Sequence, residues 1–187
     1  MSFFSRIKEF FSRKRQIGEF IKAETERTAQ YLAMNTEELS ALSDDELFSA
    51  AISRMASLLD PFDDYERGLD SMNESQRVFS SVNWFDSEVN NGGLCQYFVN
   101  SSRVTAPLIS DCLGKIGANE HKKLYDGFIK RNGIDTKDLS AFDIDELSEF
   151  EEKNKMYPFD EFDDAFYELE PLESFLKKYA RDHIEDL

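Results

Sequence analysis

Apolar side chains recur at intervals of three and four along almost the whole chain, and they nowhere alternate for more than a few residues. That spacing follows the 3.6-residue turn of an α-helix and conflicts with the two-residue repeat of a half-buried strand. With 8 Gly and 4 Pro in 187 residues, the chain lacks the many tight turns of a β-sandwich. Hydrophobic residues at 41%, with Phe occurring 17 times, supply enough apolar surface for a packed core despite the high charge. The expectation is an all-α fold. A compact multi-helix domain occupies residues 36–187, preceded by an N-terminal amphipathic helix within residues 1–35.

Residues 2–32 read as one basic helix. Phe3, Phe4, Ile7, Phe10, Phe11, Ile17, Ile21, Ala29 and Leu32 form a stripe, and Arg6, Lys8, Arg13, Arg15 and Lys22 fill most of the remainder. Packing on the chain's own domain, a membrane surface and a dimer contact all suit such a helix. Ser43-Asp44-Asp45-Glu46 is a capping box, and its helix runs through Leu47, Ala51, Met55 and Leu58 until Pro61. Residues 61–72, rich in Asp with Pro and Gly, read as a loop. Asn73 with Gln76 caps a helix carrying Val78, Val82, Phe85 and Val89, which Asn90-Asn91-Gly92-Gly93 ends. A short helix from Leu94 follows, then helices at 106–116 and 119–131 closed by Gly117 and Asn132-Gly133. Asp143 reads as the cap of a helix carrying Leu147 and Phe150. Phe159, Phe162, Phe166 and Leu169 mark one further apolar face. Pro171 opens a last helix with Leu172, Phe175, Leu176 and Tyr179 on its buried side.

The net charge of −16 is unevenly spread. Residues 1–30 hold seven basic and four acidic side chains, whereas residues 135–187 hold six basic and eighteen acidic. An acidic surface repels nucleic acid and anionic lipid and attracts basic partners, so direct nucleic-acid binding is not expected. Solubility alone is the plainer explanation of such acidity. Lys153 and Lys155 offset Glu149 and Glu151, yet no basic residue occurs across 156–170. A solvated face ordinarily mixes both signs. The one-signed crowding therefore marks a partner-binding surface of Asp143, Asp145, Glu146, Glu149, Glu151, Glu152, Asp160, Glu161, Asp163, Asp164, Glu168 and Glu170.

Catalytic machinery is thin, and the expectation is a protein that is not an enzyme and needs no cofactor. His121 and His183 are the only histidines, and His121, within Asn-Glu-His-Lys-Lys, reads as a plain surface residue. No phosphate-binding glycine loop, dinucleotide fingerprint, zinc-protease motif or nucleophile elbow is present. Cys95 opens a helix after two glycines, a position that lowers a thiol pKa, but no general base accompanies it in the sequence. The run Asp160-Glu161-Phe162-Asp163-Asp164 lacks the glycine and ligand order of a calcium loop. Two unpaired cysteines and no apolar run approaching roughly 20 residues point to the cytoplasm, with no membrane span.

The most unusual stretch runs from Trp84 to Ser101. Glu88, Val89, Asn90, Asn91, Gly92, Gly93, Gln96, Tyr97, Phe98 and Asn100 within it resemble the signature of a bacterial family of unknown function that includes acidic DNA-mimic proteins. Leu94 stands where that signature usually has an aromatic residue. The likeness extends more loosely from about residue 40 to the C-terminus and leaves residues 1–35 outside. The resemblance implies an all-helical homodimer whose carboxylates stand in for DNA phosphates on a basic, DNA-binding partner such as a transcription factor. Immunity-type inhibition of a basic nuclease rests on the same surface physics. For the motif itself, one reading is a corner between helices, with Glu88, Asn90 and Gln96 bonding orphan backbone groups at the two helix ends. The other is a small-ligand pocket from Glu88 to Gln96 beside Trp84 and Tyr97.

Overall fold

The computed structural model describes residues 19–62 and 64–187, and among them the regular structure consists of α-helices and 3-10 turns with no strand. The all-α expectation holds. Helix α1 spans 19–33 and is followed by α2 (Thr36–Ser40), α3 (Asp44–Leu59), α4 (Tyr65–Ser71) and the long α5 (Glu74–Val99). A 3-10 turn at Ser101–Thr105 leads into α6 (Ala106–Lys115) and α7 (Asn119–Asn132). After 3-10 turns at Ser140–Phe142 and Leu147–Glu149 come α8 (Phe150–Asn154), α9 (Phe159–Tyr167) and α10 (Leu172–Asp182).

Side-chain caps set several of these starts, because the first amides of a helix lack intrahelical partners. Ser43 and Glu46 exchange hydrogen bonds at α3, as do Asn73 and Gln76 at α5. Asn35 and Glu38 do the same at α2. Within the stretch 61–72, Tyr65–Ser71 is corrected from loop to helix. Asp64 accepts the Arg67 amide at 2.8 Å and starts α4, whose Gly68 lies buried against Leu59. Asp143 is corrected in the opposite sense. It starts no helix and instead closes the 3-10 turn at Ser140–Phe142 and pairs with Arg103, while the helix expected after it begins as a 3-10 turn at Leu147. Lys155 lies 3.8 Å from Glu151 as expected, but Lys153 donates to the Ala141 carbonyl and not to Glu149.

Helix α5 runs through the middle, with α6, α9 and α10 against it; α10 also packs on α3, and α7 bridges α6 and α9. Phe85 of α5 meets Tyr97, Tyr125 and Phe166 edge-on at 5.1, 5.6 and 5.9 Å. Phe98, Phe128, Phe142, Phe159 and Phe162 fill a second aromatic layer and are almost wholly buried. Burial of each such side chain contributes about 1.5–3 kcal/mol. Arg54 ties the end of α1 to residue 187: its guanidinium donates to the carbonyls of Tyr31 (3.1 Å), Met34 and Leu187 (3.1 Å).

Much of the apolar stripe expected on residues 2–32 lies outside the described residues. In the described part of α1 only Tyr31 is buried, and Phe20, Ile21 and Leu32 are exposed. No helix among the described residues is long and apolar enough to cross a membrane.

Candidate functional site

Helix α5 breaks at Gly92 and Gly93. Gly93 has φ 81° and ψ 176°, a region that side-chain-bearing residues essentially do not occupy. The break orphans one carbonyl and one amide inside the core, where an unpaired group costs about 1–3 kcal/mol. Two residues of α9, four apart and so on one helix face, repair it. Tyr167 Oη donates to the Val89 carbonyl at 2.7 Å, and Asp163 Oδ1 accepts the Leu94 amide at 2.9 Å. A Cβ at residue 93 would stand 2.1 Å from Asp163 Oδ2, so glycine is needed here for space as well as for conformation.

A second brace spans the outside of the corner. Glu88 Oε2 accepts from Gln96 Nε2 and Asn100 Nδ2, both at 2.7 Å, and Oε1 accepts from Ser102 Oγ at 3.0 Å. The motif residues sit at this corner, with bonds that differ from the pattern expected of them. Glu88 and Gln96 bond side chains and not orphan backbone groups, and Asn90 Nδ2 serves the Asp86 carbonyl and carboxylate of its own helix, both at 2.8 Å. With both Glu88 oxygens engaged internally, the Glu88–Gln96 stretch forms a strut. Trp84 packs edge-on against Tyr65 at 4.7 Å, and the buried Tyr97 hydroxyl meets Thr105 Oγ1 at 2.6 Å. Phe98 is buried against Phe142, and Asn91 is exposed.

Cys95 is fully buried, and desolvation pushes its thiol up to about 12, with nearby Asp163 adding to the shift. The thiolate character expected at a helix start is absent. His121 is corrected from surface to core: it is 3% exposed, lies between Phe166 and Phe175, and burial lowers its pKa. Its neighbours in sequence are polar because that turn of α7 is amphipathic, with His121, Tyr125 and Phe128 on the inner face. Among the described residues no three His, Cys, Asp or Glu side chains converge to hold a metal ion.

Of the twelve carboxylates expected to form the acidic surface, ten are exposed, while Glu149 and Asp163 are half-buried. Asp163 is the exception in function: it faces inward as the corner's cap, and burial raises its carboxyl pKa while the Leu94 amide partly opposes that shift. Glu149 accepts the Asp145 amide at 3.2 Å, Glu161 lies 3.7 Å from Arg131, and Asp143 is held by Arg103. Asp145, Glu146, Glu152, Asp160, Asp164, Glu168 and Glu170 make no ion pair with a described residue. Sequence reasoning missed Tyr167 and Ser102 as corner partners. It also missed Asp86, whose only signal was its position four residues before Asn90.

No curated protein and no solved structure matches the chain. A family model described as DMP19-like protein matches residues 70–183, a span that holds the whole corner and every carboxylate from Asp143 to Glu170. The match covers more than half of the 187 residues, and the chain belongs to the DMP19-like protein family.

Proposed function

We propose that this protein is an acidic interaction module that acts as a DNA mimic, occupying the nucleic-acid-binding face of a basic partner such as a transcription factor. The observation that carries this reading is the outer face of α9. Asp160, Glu161 and Asp164 on the helix and Glu168 at its end are exposed, while Phe159, Phe162 and Phe166 anchor the opposite face in the core. From residue 160 to 168 a helix rises about 12 Å. Four exposed carboxylates over that length lie on average about 4 Å apart along the axis, near the about 3.4 Å per phosphate along one DNA strand. The anchored backbone of α9 also avoids the cost of ordering that segment on binding.

The test is a fourfold variant, Asp160→Asn with Glu161→Gln, Asp164→Asn and Glu168→Gln, used against partners captured at low salt and eluted with duplex DNA. The expected outcome is loss of at least tenfold in affinity for a DNA-displaceable partner, an unchanged fold by circular dichroism, and a steep salt dependence in the parent. Retention of full affinity by the variant, or a partner that duplex DNA cannot displace, overturns the mimic reading. Recovery of a basic nuclease whose activity the protein blocks would instead support immunity-type inhibition through the same face.

A further inference from the structure

Beside the corner, where α5 and α7 meet the α9–α10 connection, lies a cavity of about 290 Å3. Asp86, Asn90, His121, Phe166, Glu170 and Glu173 line it. Its polar atoms are unusual in kind. Asn90 Nδ2 is already committed to the Asp86 carbonyl and carboxylate, and the Tyr167 hydroxyl at the rim is committed to the Val89 carbonyl. What remains is a set of acceptors: the Asp86, Glu170 and Glu173 carboxylates and Asn90 Oδ1, with the imidazole as the one mixed group. Asp86 and Glu170 make no ion pair with a described residue, while Glu173 lies 2.5 Å from Lys177. His121, only 3% exposed, has no hydrogen-bond partner for Nδ1.

We infer that this cavity is a socket for an organic cation, a guanidinium or alkylammonium group, which would sit among these acceptors with its stem against Phe166 and Tyr167. A donor-only head group is the chemical complement of an acceptor-rich wall, since Arg brings five donors and Lys three and neither accepts. Among the described residues no three His, Cys, Asp or Glu side chains converge to hold a metal ion, and the guest inferred here is an organic group. The Asp86 carboxyl, raised to about 6 chiefly by desolvation, behaves as an acid that lacks its counter-charge. The volume lies just under the roughly 300–1,000 Å3 of drug-sized sites, which suits a single head group. The socket stands apart from the proposed function, because its guest can be a lone small molecule.

The probe is N-acetyl-arginine amide, titrated into the full chain at pH 7 while the His121 imidazole and Asn90 side-chain amide signals are followed by NMR. Its neutral isostere, N-acetyl-citrulline amide, is the control. The expected result is saturable shifts at both residues with the arginine probe, at least tenfold weaker shifts with citrulline, and at least tenfold weaker binding in Asp86→Asn and in Glu173→Gln. Asp86→Asn keeps an acceptor for Asn90, so its fold is preserved, which the unchanged aromatic spectrum checks. Equal response to citrulline, or shifts confined to the outer carboxylates of α9 with His121 silent, overturns the socket. The source of the guest is read from two further arms. Saturation by spermidine in the micromolar range assigns a free amine. Tightening of at least tenfold with an arginine-rich peptide, lost in the fourfold α9 variant, assigns a partner's side chain.

Discussion

Two acidic regions of this protein hold their carboxylates in opposite ways. In α9 the charged side chains stand on a continuous helix whose Phe159 and Phe162 are almost wholly buried and whose Asp163 and Tyr167 plug the break in α5. In residues 143–154 comparable charges ride on a 3-10 turn and a five-residue helix, neither with a fully buried residue, and Leu147 is 84% exposed. The composition is alike; the anchoring is not. A surface that presents charges at fixed spacing needs an anchored backbone beneath it, so under the proposed function α9 is the array and 143–154 its less anchored flank.

The corner is what anchors α9, so breaking it gives the largest effect. Gly93→Ala places a Cβ 2.1 Å from Asp163 Oδ2 at a φ of 81°. Displacing the cap and straining the backbone together cost on the order of 3–4 kcal/mol. Thermal or urea unfolding measures the loss, and amide exchange of α9 should accelerate more than that of residues 147–154. Equal acceleration in both regions would show that the corner does not single out α9.

Next in size is the outer brace. Glu88→Ala removes the acceptor of three side-chain donors, from Gln96, Asn100 and Ser102, and leaves them half-buried or buried beside a hole. Hydrogen bonds to a charged group contribute about 1.5–3 kcal/mol each, and the freed donors recover part of that from water, so a net loss of about 2–3 kcal/mol is expected. Glu88→Gln, which keeps the shape and one acceptor, should lose less than half as much. A chemical denaturation series on the three proteins checks the ordering.

The sequence carried the local half of this architecture well. Capping residues such as Ser43 and Asn73, the Gly93 break and the apolar stripes of α3, α9 and α10 are signals contained within a few residues. What it hid were encounters between distant segments: Asp163 meets Leu94 across 69 positions and Tyr167 meets Val89 across 78. Asp163 therefore looked like one more surface carboxylate, since nothing in Asp-Glu-Phe-Asp-Asp says which acid turns inward. His121 misled for the same reason, being buried by Phe166 and Phe175 from outside its own helix. Residues 61–72 misled because their Asp, Pro and Gly content signals a loop, whereas Asp64 caps a helix there.

A smaller effect sharpens the contrast by pH. Asp86 in the folded protein titrates at about 6, against 3.8 for the free side chain, because burial disfavours its charge and Glu173 adds to this. Between those two values the folded state binds the proton and the unfolded state does not. The Asp86 contribution to stability therefore rises as pH falls from 7 through 6 and levels off below about 4. Asp86→Asn keeps the acceptor for Asn90 and removes the charge. It should stabilise the protein at pH 7 by up to about 2 kcal/mol and shrink its gain on acidification, read as Tm against pH.

The smallest effects come from the exposed acids, and there the two regions should separate in function and not in stability. Asp164→Asn on α9 and Asp145→Asn on the flank each remove a charge that makes no ion pair with a described residue, so each should change unfolding free energy by less than about 0.5 kcal/mol. Binding to a basic partner, under the proposed function, is expected to differ, because α9 is pinned by buried phenylalanines whereas the 3-10 turn and helix of the flank hold no fully buried residue. Asp164→Asn is therefore expected to weaken such binding several-fold more than Asp145→Asn, with the difference shrinking as salt screens both sites. Equal losses from the two substitutions at low salt would mean that total charge, and not the anchored spacing of α9, is what the partner reads.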